Sequence, residues 1–435
     1  MSIRIFPLGG FEEIGRNSVA VEINGKIIIL DMGFHLERFV EVSESDFPGK
    51  KIPLRKLLAS GSLPDIRSIR SLRKNVVAII CSHAHLDHIG AIPYLAKKFS
   101  CPVFATPFTG EVIRSLCEER NVSIPIKQYL PGESFFIDDI KIDFIPVAHS
   151  TPQTVLIALH TSDGVIVYAN DYKDDEYSPF EQPRTLESLK ALKGKVKLLF
   201  IDSLYAPKDE FCPSESVARQ EVLDLTTKLS SARSIVASTF SSQIYRLVSL
   251  CDLADSLNRE VVFIGRSLGK YISAASDANI VDLTKRGRVL RFSSQAKSFL
   301  SKILHPEKYF LIVTGHQGEP QAMLNRMVSG LYNFNSDDVV IFSCNVIPTP
   351  LIVENRAALE KKLVSCDVTM YKDVHVSGHA FAKDHERLLS LLNPDFVAPL
   401  HGEPFMLDAM RKNLVSWSYA PRRILRLKIG DRIEL

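Results

Sequence analysis

Four side chains of metal-binding type fall within six residues of one another: His83, His85, Asp87 and His88, in the stretch Ser82-His83-Ala84-His85-Leu86-Asp87-His88-Ile89-Gly90. Neutral imidazole nitrogens and carboxylate oxygens are the usual ligands of zinc and its neighbours. Two imidazoles two residues apart, then a carboxylate and a third imidazole, suit a pair of adjacent cations better than one closed structural zinc. A solvated polar turn is the plainer alternative. It is a poor account of a stretch that holds 3 of the chain's 12 histidines beside an aspartate at a strand end.

The elements that must hold these ligands are legible on either side. Residues 76–81 are a continuous apolar run and read as a buried strand, while Ile89, Ile92, Leu95 and Ala96 share one face at helical spacing. The ligands therefore occupy a strand-to-helix turn. Other candidates also end strands: His149 after 140–146, Asp171 after 164–168 and His401 after 396–400. Asp31 follows 26–30, where an aspartate beside Gly33 serves equally well as a turn cap. Each alone would be structural, but ligands delivered from neighbouring strand ends converge at one sheet edge.

The chain has 435 residues, 46% hydrophobic and 24% charged, an ordinary soluble composition with room for two or three domains. No apolar run reaches the roughly 18 residues of a membrane helix, and the start enters a strand without a signal-like segment. Seven scattered cysteines with no CxxC pair fit reduced thiols in a cytoplasmic protein. A net charge of +3 does not by itself announce nucleic acid.

Residues 3–8, 18–23 and 26–30 read as antiparallel strands, the last two joined by the hairpin signal Asn24-Gly25. The glycines of 9–17 make only a weak phosphate cradle. Residues 34–64 read as loop, and Arg67, Arg70, Arg73 and Lys74 as the solvated face of a helix. From about 205 helices (215–229, 243–257, 321–329) alternate with short strands (234–237, 260–264, 309–313, 338–342), the pattern of a parallel-sheet α/β module. Its basic and acidic residues nearly balance, apart from the patch Lys285, Arg286, Arg288 and Arg291. The loop 313–320 leads to a helix start, a geometry that suits an anion and equally a plain turn. Near 356 the first pattern resumes, with His375 and His379 around a Ser377-Gly378 turn. At the end Arg422, Arg423, Arg426 and Lys428 alternate like an edge strand.

Asp31, the 83–88 cluster, His149 and Asp171 stand in the order of the metallo-β-lactamase motifs, and the stretch from 205 to 355, followed by His379 and His401, resembles the β-CASP insertion. The likeness is closer to RNase J. It rests on Thr314-Gly315-His316-Gln317-Gly318-Glu319-Pro320, Gly265-Arg266-Ser267, Ser238-Thr239-Phe240-Ser241-Ser242 and His375-Val376-Ser377-Gly378-His379. Ala84, Leu86, His316 and Ile347-Pro348-Thr349-Pro350 depart from the bacterial pattern. These departures, and a chain that stops near the end of the catalytic core, look more like the archaeal form.

The resemblance implies an α/β fold: a four-layer αββα metallo-β-lactamase sandwich over 1–205 and 356–435, with the parallel-sheet β-CASP domain inserted at 206–355. It implies two Zn²⁺ per chain, replaceable by Mn²⁺ or Mg²⁺. His83, His85 and His149 would hold one, Asp87, His88 and His401 the other, with Asp171 bridging. Catalytic roles fall to Asp87, Asp171 and His379, the last donating to the phosphate or to the departing 3′ oxygen. Asp31 would orient His83 or His88, and Asp202 would orient His379. A 5′-phosphate pocket is expected from His316, Gln317, Gly318, Glu319, Ser377, Gly378 and His379, with Arg266 and Ser267 also on RNA. The activity implied is 5′→3′ exonucleolysis of single-stranded RNA from 5′-monophosphate ends, with endonuclease cutting as a companion, in RNA decay and processing. A homodimer and RNA-decay or helicase partners are implied with it. The rival readings are a purely endonucleolytic enzyme, a DNA nuclease of the same superfamily, which the presence of His401 disfavours, and a non-catalytic RNA-binding scaffold.

Overall fold

The runs Val76–Ile80, Val196–Asp202 and Phe396–Leu400 are buried along almost their whole length, as strands are when another layer covers each face. The computed structural model describes residues 3–45, 51–180, 186–347 and 349–435. They divide into a first unit, Met1–Glu176, Pro183–Cys212 and Gly378–Leu435, and a second, Tyr177–Gln182 and Pro213–Ser377.

The first unit is built on two sheets. One has seven strands in the order Ile433–Glu434, Ile3–Gly9, Ser18–Ile23, Lys26–Leu30, Val76–Ile80, Val103–Ala105, Ile126–Gln128. The other has six, in the order Phe396–Leu400, Val196–Asp202, Gly164–Ala169, Val155–Thr161, Ile140–Pro146, Ser134–Ile137. Val21, Ile28, Leu30 and Ile80 from the first sheet share a core with Ile142, Ile157, Ile166, Phe200 and Leu400 from the second. The opposite face of the second sheet, with Val167, Leu199 and Ile201, packs on Leu388, Leu392, Met410 and Leu414 of the helices Ala382–Leu392 and Pro404–Ser416. With the helix Pro107–Glu118 against Val103–Ala105 and Ile126–Gln128 of the first sheet, the layers run helix, sheet, sheet, helix, the αββα order that the resemblance implies.

Strand direction then fixes where the ligands go. Lys26–Leu30 and Val76–Ile80 are parallel neighbours. Gly164–Ala169, Val196–Asp202 and Phe396–Leu400 are parallel neighbours in the other sheet. Ile140–Pro146 runs the same way, because two antiparallel pairings separate it from Gly164–Ala169. The C-terminal ends of four strands therefore lie on one edge of the second sheet.

In the second unit all pairings in the six-stranded sheet are parallel, in the order Gly287–Leu290, Glu260–Ile264, Tyr309–Val313, Ser234–Ser238, Asp338–Phe342, Thr369–Tyr371. This is the inserted α/β module. Its return to the first unit falls after Ser377, later than the position near 356 read from the sequence. The reason is local: Thr369–Tyr371 adds a strand beside Asp338–Phe342, so the chain is still completing this sheet after residue 356.

Other elements differ from the sequence reading. Residues 34–64 hold the helices Leu36–Ser45 and Leu54–Ala59, while 46–50 lie outside the described residues, as does Pro348. Only Leu57 of the second helix is buried, too sparse a stripe to show helical periodicity. The helix expected over 321–329 is Met323–Arg326, followed by a π-helical turn at Met327–Leu331 that stops where Gly330 takes φ +108°. The basic run near the C-terminus forms no edge strand. Pro421, which lacks an N–H, opens a 3₁₀ turn at Pro421–Arg423, and the added strand is Ile433–Glu434. Among the described residues no helix is long and apolar enough to cross a membrane, and the seven cysteines are unbridged.

Candidate metal centre

Of the expected ligands, His83, His85, His149, Asp171 and His401 follow the ends of strands, and Asp87 and His88 lie on the short helix Leu86–Ile89. His83, His85, His149 and Asp171 form one group whose ligand atoms lie within 4.8 Å of one another; Asp87, His88 and His401 form a second, and Asp171, His379 and His401 a third. The apolar sheets carry the chain to this edge, and turn geometry does the final aiming. Asp31 and His401 both adopt left-handed backbone, with φ +58° and +54°. Each is fixed by cross-chain bonds: Asp31 N–H to Ile80 O at 2.8 Å and His401 N–H to Gly10 O at 2.7 Å.

In the first group His83 Nε2 and His149 Nε2 each stand 3.1 Å from His85 Nδ1. Asp171 Oδ2 is 3.4 Å from His83 Nε2 and 3.5 Å from His149 Nε2. The edge of a tetrahedron with 2.0–2.1 Å metal–nitrogen bonds is about 3.3 Å, so this donor set fits one four-coordinate divalent ion. The outer ring atoms decide which nitrogens carry hydrogen. His149 Nδ1–H donates to Gly378 O at 2.7 Å, and His83 Nδ1–H to Ser82 Oγ at 3.0 Å. Their Nε2 lone pairs are thereby free to ligate. Burial pushes His83 down to about 3, with the neighbouring His88 charge acting the same way. It holds His85 at about 4 and His149 well below its ordinary value. These imidazoles are neutral at physiological pH, the form in which imidazole can bind a metal.

The second group is more acidic. His88 Nδ1–H donates to Asp31 Oδ2 at 2.6 Å, while Nε2 lies 3.3 Å from Asp171 Oδ2 and 3.5 Å from Asp87 Oδ2. Burial opposes a charge on His88, but Asp171, Asp87 and Asp31 outweigh it and hold its pKa well above normal. His401 Nε2 is 3.9 Å from Asp171 Oδ1, and His401 Nδ1–H donates to Asn17 Oδ1 at 2.9 Å. Asn17 Nδ2 in turn reaches Asp87 Oδ2 at 3.2 Å. Asp171, a member of the first group, thus also approaches two members of the second.

His379 stacks on His401 at 5.6 Å between ring centroids. Its Nδ1–H donates to Asp202 Oδ2 at 2.9 Å, and its Nε2 is 3.7 Å from Asp171 Oδ2. Burial is outweighed by Asp171 and Asp202, which raise His379 to about 9. Asp202 itself is fully buried and also accepts from Leu204 N–H at 2.9 Å.

The expected phosphate contacts belong to both units. Gly378 and His379 are in the first; Arg266, Ser267, residues 316–319 and Ser377 are in the second. Gln317 serves its own unit, Nε2 donating to Asn345 O at 2.9 Å and Oε1 accepting from Ile347 N–H at 3.0 Å. Glu319 accepts from Gln317 N–H at 3.1 Å, and Gly318 O from Asn325 Nδ2 at 3.1 Å. His316 differs: it is buried edge-on to Phe240 at 4.2 Å, and neither ring nitrogen has a hydrogen-bond partner among the described residues. Burial lowers its pKa. Arg266 and Ser267 open the helix Arg266–Asp277, where Ser267 Oγ meets Ser241 Oγ at 2.9 Å.

Three supporting residues escape sequence reasoning: Asn17, Ser82 and the buried Arg246, which pairs with Glu215 at 2.9 Å and donates to Val374 O at 2.7 Å. Glycines were the available signal for Asn17. A Cβ on Gly15 would meet Asp87 Cβ at 3.2 Å, and one on Gly33 would meet Asp87 O at 1.6 Å. They admit backbone against the metal-binding turn rather than cradle phosphate.

The family models "Metallo-beta-lactamase superfamily", "Ribonuclease J, beta-CASP domain" and "Zn-dependent metallo-hydrolase RNA specificity domain" match residues 12–173, 232–358 and 367–417. The chain is 41% identical to a Ribonuclease J of Pyrococcus abyssi, over 93% of this chain and 91% of the relative. It is 35% identical to a Ribonuclease J of Methanocaldococcus jannaschii, over 93% and 92%. A crystal structure of a protein of unknown function from Enterococcus faecalis V583 shares the fold, with a TM-score of 0.66 at 15% identity over the full length of both chains. The superfamily match implies a divalent metal, and the donor set fits one. With three family models in chain order and archaeal relatives matched almost end to end, the chain belongs to the Ribonuclease J family.

Proposed function

We propose that this chain is a zinc-dependent ribonuclease that degrades single-stranded RNA 5′→3′ from 5′-monophosphate ends and also cuts internally. The observation that carries the reading is one carboxylate, Asp171, which completes the group of His83, His85 and His149 and also approaches His88 and His401 of the group beside it, with the raised imidazole of His379 nearby. The nitrogen-rich donor set favours Zn²⁺, two per chain, with Mn²⁺ or Mg²⁺ as substitutes. Such an ion pair, when bound, supplies a nucleophile at neutral pH and charge neutralisation at the phosphoryl group.

The protein's own groups do the remaining work. His83, His85 and His149 present neutral nitrogens, while Asp87, His88, His401 and Asp171 supply the acidic half. His379, kept protonated by Asp171 and Asp202, donates from Nε2 to a phosphoryl oxygen or to the departing 3′ oxygen. Asp202 holds the ring so that Nε2 faces the centre. On the second unit His316, Ser377, Arg266 and Ser267 are RNA contacts, with Gln317 and Glu319 shaping the loop that carries His316. Gly378 serves the metal half through His149. A cytoplasmic location, a homodimer and RNA-decay or helicase partners complete the proposal.

The test uses one RNA as a 5′-monophosphate, a 5′-triphosphate and a closed circle, each with and without chelator. Rapid mononucleotide release from the monophosphate, abolished by chelator, is expected. Equal cutting of the circle would make the enzyme chiefly an endonuclease. Cleavage of no form by metal-loaded protein would overturn the reading.

A further inference from the structure

We infer that a basic cavity on the first unit, lined by Arg67, Arg70, Arg73 and Lys98, holds the phosphodiester backbone of the RNA as a contact additional to the metal centre. The inference rests on the ribonuclease reading above. Sequence pattern alone left these arginines as a solvated face. Local structure changes that, because Arg70–Asn75 is a 3₁₀ helix and not an α-helix. With three residues per turn, side chains at i and i+3 eclipse one another; an α-helix would fan them apart by about 60° at each step. Arg70 and Arg73 therefore stand in one row, with Arg67 one step before the helix. All three line the same cavity of about 830 Å³ together with Lys98 and Arg16, whereas Lys74 does not.

The charge in this cavity is largely unopposed. Arg16 is matched by Glu13 at 2.7 Å. Arg67 is matched by Asp65, the one carboxylate among the described residues of the lining, which accepts from Arg67 Nε at 2.8 Å. Arg70, Arg73 and Lys98 are exposed and make no ion pair or side-chain hydrogen bond among the described residues. A surface serving solubility alone intersperses both signs. Here three free cations face one concavity.

The spacing favours a polyanion over a single phosphate. Successive arginines of the row are about 6 Å apart along the helix axis, comparable with the separation of neighbouring phosphates on a nucleic-acid strand. The cavity also adjoins the metal centre's support. Arg16 lies in its wall, and the next residue, Asn17, holds Asp87 and His401. A strand lying along the row is thus bound by the same unit that carries the ligands.

The experiment compares the full chain with the triple variant R70A/R73A/K98A and the rescue variant R70K/R73K. All three substituted residues are exposed, so the fold is retained. Equilibrium binding of a 3′-labelled 20-nucleotide single strand is measured in chelator, where nothing is cut, between 50 and 200 mM salt. Steady-state cleavage of the same strand and of a trinucleotide follows with metal. Three lost phosphate contacts should flatten the plot of log affinity against log salt by about 2. KM for the long strand should rise about 10-fold or more at low salt, with kcat and trinucleotide cleavage unchanged and the lysine variant near the parent. An unchanged slope overturns the inference. So does equal loss on both substrates, which would mean that the row acts through the Arg16 loop. Full competition by millimolar inorganic phosphate or mononucleotide also overturns it, by showing a single-phosphate site. Strand binding that weakens in the triple variant, with no cleavage by any metal-loaded form, would instead sink the ribonuclease reading and leave the cavity as a polyanion site.

Discussion

The two halves of the candidate metal centre are built from similar residues and behave in opposite ways. Around His83, His85 and His149 burial dominates, and all three imidazoles are driven neutral. Around His88 three carboxylates converge, Asp171, Asp87 and Asp31, and the imidazole is driven towards its charged form. The first half offers neutral imidazole nitrogens grouped closely enough for one ion. The second concentrates negative charge that a cation would neutralise. Histidine count does not separate them; the placement of carboxylates does. The expected consequence is that the two positions bind with different affinity and respond to different substitutions.

The largest effect is expected at the residue common to both halves. Asp171→Asn keeps the shape and removes the charge that faces His83, His88 and His149. Activity should fall by well over the roughly 10–100-fold typical of an outer-shell loss, and elemental analysis after dialysis should show both ions depleted. His149→Ala should deplete one equivalent and leave the other. Loss of both ions in His149→Ala would show that the halves are not separable.

Next come two residues whose direct contacts with the candidate ligands lie in the acidic half. Asp31→Asn removes the carboxylate that accepts from His88 Nδ1–H at 2.6 Å, and asparagine tolerates the left-handed backbone that Asp31 adopts. Metal affinity of that half should drop about 10–100-fold. Asn17→Ala breaks the amide link between His401 and Asp87 and should cost nearer the lower end of that range. Both are read by chelator titration of the loaded protein, in which one equivalent should leave early and the other unchanged.

This division explains how much the sequence could disclose. Ligand types at strand ends were legible because apolar runs such as Val76–Ile80 and Phe396–Leu400 end abruptly in histidine. The parallel module was legible for the same reason, since Glu260–Ile264 and Tyr309–Val313 are apolar and buried after their first residue. The supporting shell was not. Asn17 and Ser82 are common polar residues whose roles depend on partners as much as 384 positions away. The row of arginines failed for a subtler reason: spacing by three signals a helix face, but only a 3₁₀ backbone aligns it. Boundaries slipped where a short strand such as Thr369–Tyr371 completes a sheet after a long helix.

The smallest effect should come from Ser82→Ala, and it tests the comparison most closely. Ser82 Oγ touches both halves: it accepts from His83 Nδ1–H at 3.0 Å and donates to Asp31 Oδ2 at 2.8 Å. Removing it leaves Asp31 bound to Ser82 N–H and to His88, so the acidic half keeps its main supports. His83 loses the acceptor that fixes its hydrogen on Nδ1. The ring then either buries an unpaired N–H, at about 1–3 kcal/mol, or moves the hydrogen to Nε2 and ceases to ligate. The neutral half should therefore weaken about 10-fold while the acidic half is nearly unmoved, and Ser82→Thr should restore it. Selective weakening of the acidic half instead would mean that Ser82 acts mainly through Asp31, and that the hydrogen on His83 is fixed by burial and its neighbouring rings.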